Sequence, residues 1–569
     1  MGVNLAATAL KQLMDLQRSM YDRALNDARE NIGNGNASII KYQREFESSL
    51  PSQFAAANSK KVLEAIDRHN IVLFGDFHSH KQSQRAFLRI LRMYTNRPDH
   101  APIIVGLEMF RSKDQPHIDK WFAGSITDHE LLEAVDYERT WGFPWANFRP
   151  ILEYCRFNAI KIVGLNTNNG GRDSLAKRDE HAAKILSDLV RKDERVRVFS
   201  LIGEFHLADR HLPQAIQQIQ KDSSKAVLRI FANLDKYFFA VSHDKLHYKD
   251  EYLALNKNTF CVINSPPWMK WHSHSLWEEM KRIGSVKYLE ESLAPDDVEG
   301  DIDDFDAELD DAYTDEVLDL DYHLRHLQVQ LFNFFKLTPS SESLDRFGAI
   351  HEDLDSELRG INESARESLL TRVSLDGFAV EYSRKFVYMP EISINNMAAA
   401  AGQMLFGSVS QISENYSDPD QLFATQCLKY TFGCIANKIL NPRIPLHDIS
   451  TFEAYLVSSR GKRLVGQMRQ RRNLAQATIE VQSWIEKNWF DNKSTRKKLR
   501  TLPRKFCQLD ASTAHELARN LAHVVAEPIC RGLIKGKIDT NDLAKWLLQD
   551  WSKPNTIQLT LASMMAWSV

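Results

Sequence analysis

The chain has 569 residues, 43% of them apolar and 26% charged, and its 72 basic and 75 acidic side chains leave a formal net charge of −3. That length exceeds what one hydrophobic core supports, so two to four domains are expected, and the near-neutral charge excludes a globally basic nucleic-acid binder. Six scattered cysteines with no Cys-x-x-Cys pair argue against a zinc ribbon, an iron–sulfur cluster and a disulfide framework, and fit a reducing compartment.

Charges interrupt every long apolar run, so no transmembrane segment is expected. The first residues lack the basic and apolar regions of a secretory signal, and Ala6 stands where a myristoylation motif starting at Gly2 needs Ser or Thr. The expected location is the cytoplasm.

Helical spacing of Leu10, Leu13, Met14 and Met20 predicts a helix from about Asn4 to Glu30, ended by the Gly/Asn-rich stretch Asn31–Asn36. Further helices are expected over Ile39–Leu50 and Lys60–His69. An alternation then begins. The apolar run from Ile71 to Phe74 closes on Gly75 and reads as a buried parallel strand. A helix follows over Gln82–Tyr94, then a strand from Ile103 to Glu108, helical pieces at Asp114–Phe122 and Asp128–Val135, and a turn rich in aromatics, Trp141–Pro150. Ile151–Phe157 reads as helix, Ile160–Asn166 as strand, Ser174–Leu189 as helix and Val196–Ile202 as strand. A helix over Leu212–Ile219 and strands at Ala226–Phe231, Tyr237–Val241 and Thr259–Ile263 complete the pattern. Strands separated by short helices predict βαβ units and a mainly parallel sheet.

Residues Glu290–Asp321 are heavily acidic. EF-hand spacing fails there because Asp306 stands at the position that requires glycine in a loop starting at Asp301, so a solvated linker is expected. Beyond it the patterns are helical, at His323–Leu337, Ser341–Glu363, Asn395–Met404, Gln421–Ile439, Phe452–Trp489 and Thr513–Leu533. The expected organisation is a helical extension over 1–59, an α/β domain with a mainly parallel sheet flanked by helices over 60–290, an acidic linker over 291–320, and a separate all-α domain over 321–569.

The chemistry concentrates at strand ends. Gly75-Asp76-Phe77-His78 and Gly203-Glu204-Phe205-His206 repeat one order of residues, and the strand between them ends on Glu108. Open α/β sheets place ligands at the carboxyl ends of their strands, so one shared site is expected. His78, His206, Glu108 and His80 form a ligand set suited to zinc, manganese or iron, with Glu108, Glu204 and Asp76 as candidate bases or orienting carboxylates. The aromatic turn, with Trp141, Trp145 and Phe148, could line a pocket for a flat ligand such as haem or be core folded over the sheet. Asn166 and His211 complete the ligand-contact candidates. The basic stretches Arg460–Arg463, Arg469–Arg472 and Lys493–Lys505 have few interleaved aromatics and read as solvated helix faces, so no strong nucleic-acid signal is present. No Gly-x-Ser-x-Gly, Gly-x-Gly-x-x-Gly or phosphate-binding loop occurs.

Taken together, Gly75–His78, the Gly-Leu-Glu108-Met-Phe strand end, Trp141–Pro150 with Ile162-Val-Gly-Leu-Asn166, and Gly203–His206 resemble the ChaN-type haem-binding uptake proteins of the wider Tiki, TraB and erythromycin-esterase-like group. The resemblance covers roughly residues 60 to 290. It implies an α/β fold with both Gly-x-x-His motifs and the intervening glutamate near one site, and it carries His78, Glu108 and His206 onto the group's shared positions. Asp76 departs from the glutamate usual in the first motif, and Phe148 stands where a haem-binding tyrosine is common. Three readings follow: a haem- or metal-binding protein, a metal-dependent protease or esterase, and a scaffold whose helical half binds a protein partner. The expected ligands are haem or a divalent ion (zinc, manganese or iron), and the expected partners are a small-molecule or haem ligand, a protein bound by the helical half, and a second copy in a homodimer.

Overall fold

The structure, a computed structural model, describes residues 2–32, 37–170, 173–220, 227–241, 252–292, 320–339, 344, 347–350, 363–390, 392–412, 418–460, 467–490, 499–507, 509–553 and 555–567. The chain forms two compact units, Met20–Ala312 and a second made of Met1–Ser19 with Tyr313–Val569. Most of the expected acidic linker, residues 293–319, lies outside the described residues.

The first unit is built on an eight-stranded sheet. Its strands are β1 (Ala55–Ala57), β2 (Ile71–Asp76), β3 (Ile103–Arg111), β4 (Lys161–Asn166), β5 (Arg197–Gly203), β6 (Leu228–Ala232), β7 (Tyr252–Asn256) and β8 (Thr259–Val262), in the spatial order β1-β7-β8-β6-β2-β5-β3-β4. The six strands from β8 to β4 run parallel, while β7 pairs antiparallel with β8 and with β1. The helices are α1 (Gly2–Ile32, begun in the other unit), α2 (Ala37–Ser49), α3 (Ser59–Asp67), α4 (Lys81–Thr95), α5 (Gln115–Phe122), α6 (Asp128–Ala134), α7 (Tyr137–Thr140), α8 (Trp145–Phe157), α9 (Leu175–Lys192), α10 (Leu212–Gln220), α11 (Asp235–Ala240) and α12 (Pro267–Ser292).

All six residues of β2 are buried, as a central parallel strand covered on both faces requires. Register does the rest. Asp76 at the end of β2 lies opposite Gly203 at the end of β5, and Leu107 of β3 opposite Leu201. Asp76 ends β2 and Glu204 follows β5. Glu108 lies just past Leu107 in β3, which does not end there as expected but runs on to Arg111 with a shift in register. Three neighbouring strands thus deliver the carboxylates to one edge of the sheet.

Two sequence expectations are corrected here. Tyr237–Val241 is not a strand: Tyr237 and Phe238 are buried on helix α11, and a short apolar run does not by itself distinguish helix from strand. The expected helix Ser341–Glu363 contains a strand, β9 (Gly348–Ile350), and its remainder lies almost wholly outside the described residues. The three-residue edge strand β1, the antiparallel strand β7 and helix α12 were not expected from the sequence. The aromatic turn also contains α7 and the start of α8.

The second unit is helical, with α13 (Leu320–Phe334), α14 (Glu363–Asp376), α15 (Ile394–Ser410), α16 (Pro419–Leu440), α17 (Ile449–Ser458), α18 (Gln467–Ile485), α19 (Arg504–Cys507), α20 (Ala511–Ile534), α21 (Thr540–Leu547) and α22 (Thr556–Ala566). A small sheet of β9, β10 (Ala379–Glu381) and β11 (Phe386–Tyr388) accompanies them. Helices α15 and α16 approach closely because their contact is made of small residues: a side chain at Gly402 would run into Ala436 and would stand 2.6 Å from the Phe432 carbonyl oxygen. The Gln17 amide donates to the carbonyls of Ile439 (2.9 Å) and Leu440 (3.1 Å), satisfying acceptors that the end of α16 leaves open. Among the described residues no helix is long and apolar enough to cross a membrane.

Candidate functional site

A cleft of about 210 Å³ opens at the carboxyl ends of β2, β3 and β5, lined among others by Asp76, His78, Glu108, Gly203, Glu204 and His206. The strands end where their apolar runs stop, at Gly75 and Gly203, and the polar residue after each glycine falls at the sheet edge. Glycine suits position 75, since a Cβ there would stand a tight 3.2 Å from Glu204 Cβ and 3.1 Å from the Phe231 ring.

His78 is oriented from behind. Its Nδ1 stands 2.9 Å from Asp76 Oδ2, and Gln84 Nε2 donates to the other Asp76 oxygen at 2.6 Å. Asp76 is 3% exposed, and burial pushes its carboxyl above the usual range although His78 opposes this. With Nδ1 tied to the carboxylate, Nε2 faces Glu108 Oε2 at 3.9 Å, too far for a hydrogen bond. The imidazole packs on Trp141 and Phe143, with ring centroids 4.4 and 4.9 Å away. Phe143 in turn stacks on Trp277 (4.1 Å), which stacks on His274 (5.5 Å). Burial drives His274 down to about 4, so it is a neutral part of this aromatic wall.

Glu108 is the hub. Arg178 of α9 pairs with its Oε1, the Gly203 N–H donates to its Oε2 at 2.6 Å, and His206 Nε2 lies 3.4 Å from Oε1. Burial favours the neutral acid, but Arg178, His206 and His78 outweigh it and hold Glu108 well below the usual carboxylate range. His206 is clamped on its other side, Nδ1 to Asp179 Oδ1 at 2.6 Å. Burial opposes its charge, yet Glu108 and Asp179 raise it to about 9, making it an imidazolium at neutral pH. The Tyr42 hydroxyl donates to the second oxygen of Asp179 at 3.0 Å, so helix α2 supports the same cluster.

Glu204 lies at the cleft but is paired with Lys270 of α12 (3.2 Å), which also contacts Asp235 (3.2 Å). Burial raises the Glu204 carboxyl against the pull of Lys270. Its Oε2 and the Trp141 indole nitrogen are buried with no hydrogen-bond partner among the described residues.

The other expected site residues fall elsewhere. His80 is buried with both ring nitrogens engaged, Nδ1 by Ser83 Oγ (3.1 Å) and Nε2 by Ser265 Oγ (3.0 Å), and burial drives it down to about 3. His211 is held by the Phe205 carbonyl (2.8 Å) and Glu45 (2.7 Å), and Asn166 Oδ1 accepts from the Thr167 N–H. Phe148 is core, and Trp145 packs edge-on to Tyr137. Among the described residues no group of three or more His, Cys, Asp or Glu side chains is arranged to hold a metal ion. The expected set of His78, His80, His206 and Glu108 is not assembled as one, because His80 is turned to serines and Glu108 is already neutralised by Arg178.

The sequence reading missed Arg178, Asp179, Tyr42, Lys270 and His274. One signal was present. Asp179 stands in register with the buried Ala182, Ala183, Leu186 and Val190 on one face of α9, and a carboxylate on an apolar face needs a buried partner.

The fold and the cleft define a mainly parallel α/β domain whose histidine–carboxylate site sits at the strand carboxyl ends. Residues 62–183 match the family described as haem-binding uptake, Tiki superfamily, ChaN, and that stretch is a ChaN-like domain. Among solved structures, one described as showing cofacial haem binding to ChaN of Campylobacter jejuni is similar at 16% identity and a TM-score of 0.23, covering 32% of this chain and 92% of that one. No curated protein matches the chain.

Proposed function

We propose that the α/β unit binds haem and that His78 is the ligand to its iron. The observation that carries this is the Asp76–His78 pair. A carboxylate at Nδ1 fixes the tautomer, makes Nε2 the basic nitrogen, and is the usual support of a metal-bound histidine; histidine is also the common proximal ligand of haem iron. The surroundings fit a flat apolar ring: Trp141, Phe143 and Trp277 supply aromatic surface, and the unpartnered Trp141 N–H and Glu204 Oε2 offer polar contacts at its edge. The cleft is smaller than the roughly 300–1,000 Å³ of pockets that enclose their ligand, but His78, Phe143, Leu175 and His274 are only partly buried, so it is open on that side. Bound haem supplies redox-active iron; the chain supplies the nitrogen, its orientation and the apolar wall. In a titration of the protein with hemin followed by absorbance, a saturable Soret shift at one equivalent is expected. A linear, unsaturated response would remove this reading.

One arrangement favours a second reading, hydrolysis of an ester or peptide bond. Two imidazoles, each fixed by its own aspartate, face a single glutamate between them, a geometry suited to passing protons. His206→Gln separates the two readings. Loss of ester turnover with haem affinity retained would establish hydrolysis, whereas haem binding with no turnover in the unaltered chain would exclude it.

A further inference from the structure

We propose that the helical unit carries a second small-molecule site, independent of the haem reading, for a ligand with an N–H-bearing head, a flat body and an anionic tail. A cavity of about 360 Å³ lies among α17, α18, α20 and the residue that follows α22, within the volume range of ligand pockets. Its inner polar groups are acceptors without partners. Gln482 is 9% exposed; its Nε2 donates to Glu486 at 2.9 Å, while its Oε1 is buried with no hydrogen-bond partner among the described residues. Glu527 is in the same condition. Its Oε1 accepts from Arg531 at 2.8 Å, and its Oε2 is buried and unpartnered. Pro528, inside α20, has no N–H, so the carbonyl of Val524 at the cavity wall loses its helical partner. Gln482 Oε1 and Glu527 Oε2, buried and left open, are costly, and a ligand bearing two N–H groups would satisfy both.

The body and the rim are equally specific. Trp567 lies against α20 where Gly532 leaves room, since a Cβ there would stand 2.7 Å from the indole ring. The indole offers a face for a planar group. Lys535 and Lys537, both exposed, stand at the cavity. Arg531 is already held by Glu527 and lies 3.5 Å from Asp448 Oδ2, so the lysines are the cations placed to receive an anion. A purine nucleotide and an aromatic amino acid share this chemistry.

The test is calorimetric titration of the full chain with adenosine monophosphate and adenosine, and with L-tryptophan and tryptamine. Saturable binding of one anionic member is expected, and which pair responds tells nucleotide from amino acid. Its partner lacking the anion should bind about fivefold weaker, the scale of an exposed charge pair, and Lys535→Ala with Lys537→Ala should erase that difference without touching the core. Gln482→Leu should weaken the anionic ligand by roughly three- to tenfold. Absence of binding by all four compounds, or affinities unchanged in both variants, would overturn the proposal.

Discussion

Raising the pH from about 6.5 to about 9 is expected to destabilise the α/β unit, and His206→Gln is expected to abolish that dependence. His206 is buried as an imidazolium between Glu108 and Asp179, which raise it to about 9 in the fold, against about 6.5 in an unfolded chain. A group whose folded pKa is raised contributes stability that is complete below the unfolded value and is lost as pH climbs through the folded one. The difference corresponds to about 3 kcal/mol. Glu108 acts in the opposite sense. Its folded value is depressed, so its contribution is present above the ordinary carboxylate range and disappears as pH falls through and below that range. These two groups together contribute most between about pH 4.5 and 6.5, while His80 and His274, held neutral by burial, act against stability as pH falls below about 6.5. A two-unit chain need not unfold in one step, so the measurement is pulse proteolysis in urea with cleavage followed within β5 and α9. A flat profile from pH 6.5 to 9, or the same loss in His206→Gln, would refute the assignment of His206 as the buried cation.

The second large effect concerns His78. Haem affinity in Asp76→Asn is expected to fall roughly 10–100-fold, the range for removing the support of a metal-bound histidine, and in His78→Ala to fall further. The asymmetry arises because an asparagine at position 76 can still hold Nδ1 through its amide but cannot raise the basicity of Nε2, whereas alanine removes the ligand itself. Hemin titration of the three proteins, with circular dichroism to show that each is folded, decides it. Equal affinity in His78→Ala and the unaltered chain would place the haem elsewhere.

Much of the fold is legible along the chain because its causes are local. Short, largely apolar runs such as Ile71–Phe74 and Val198–Ile202, each closed by a glycine, read as buried strands, and helices between them favour parallel pairing. Parallel strands in register end side by side, so the polar residues that follow Gly75 and Gly203, together with Glu108, arrive in one cleft. Elements of three to six residues escaped for the same reason. In β1, β9 and α11 the run is too short to show a period, and contacts from elsewhere fix the backbone state.

The sequence by itself determined the parallel core and the set of histidines and carboxylates gathered at its edge, because strand register follows from hydrophobic pattern. Only the tertiary structure decided what each of those groups is. Arg178 makes Glu108 a held carboxylate, Asp179 and Tyr42 make His206 a clamped cation, Lys270 makes Glu204 half of an ion pair, and burial makes His80, held by two serines, a neutral ring. These assignments depend on pairwise distances between residues from separate elements, and a buried charge takes its state from whatever lies within a few ångströms of it.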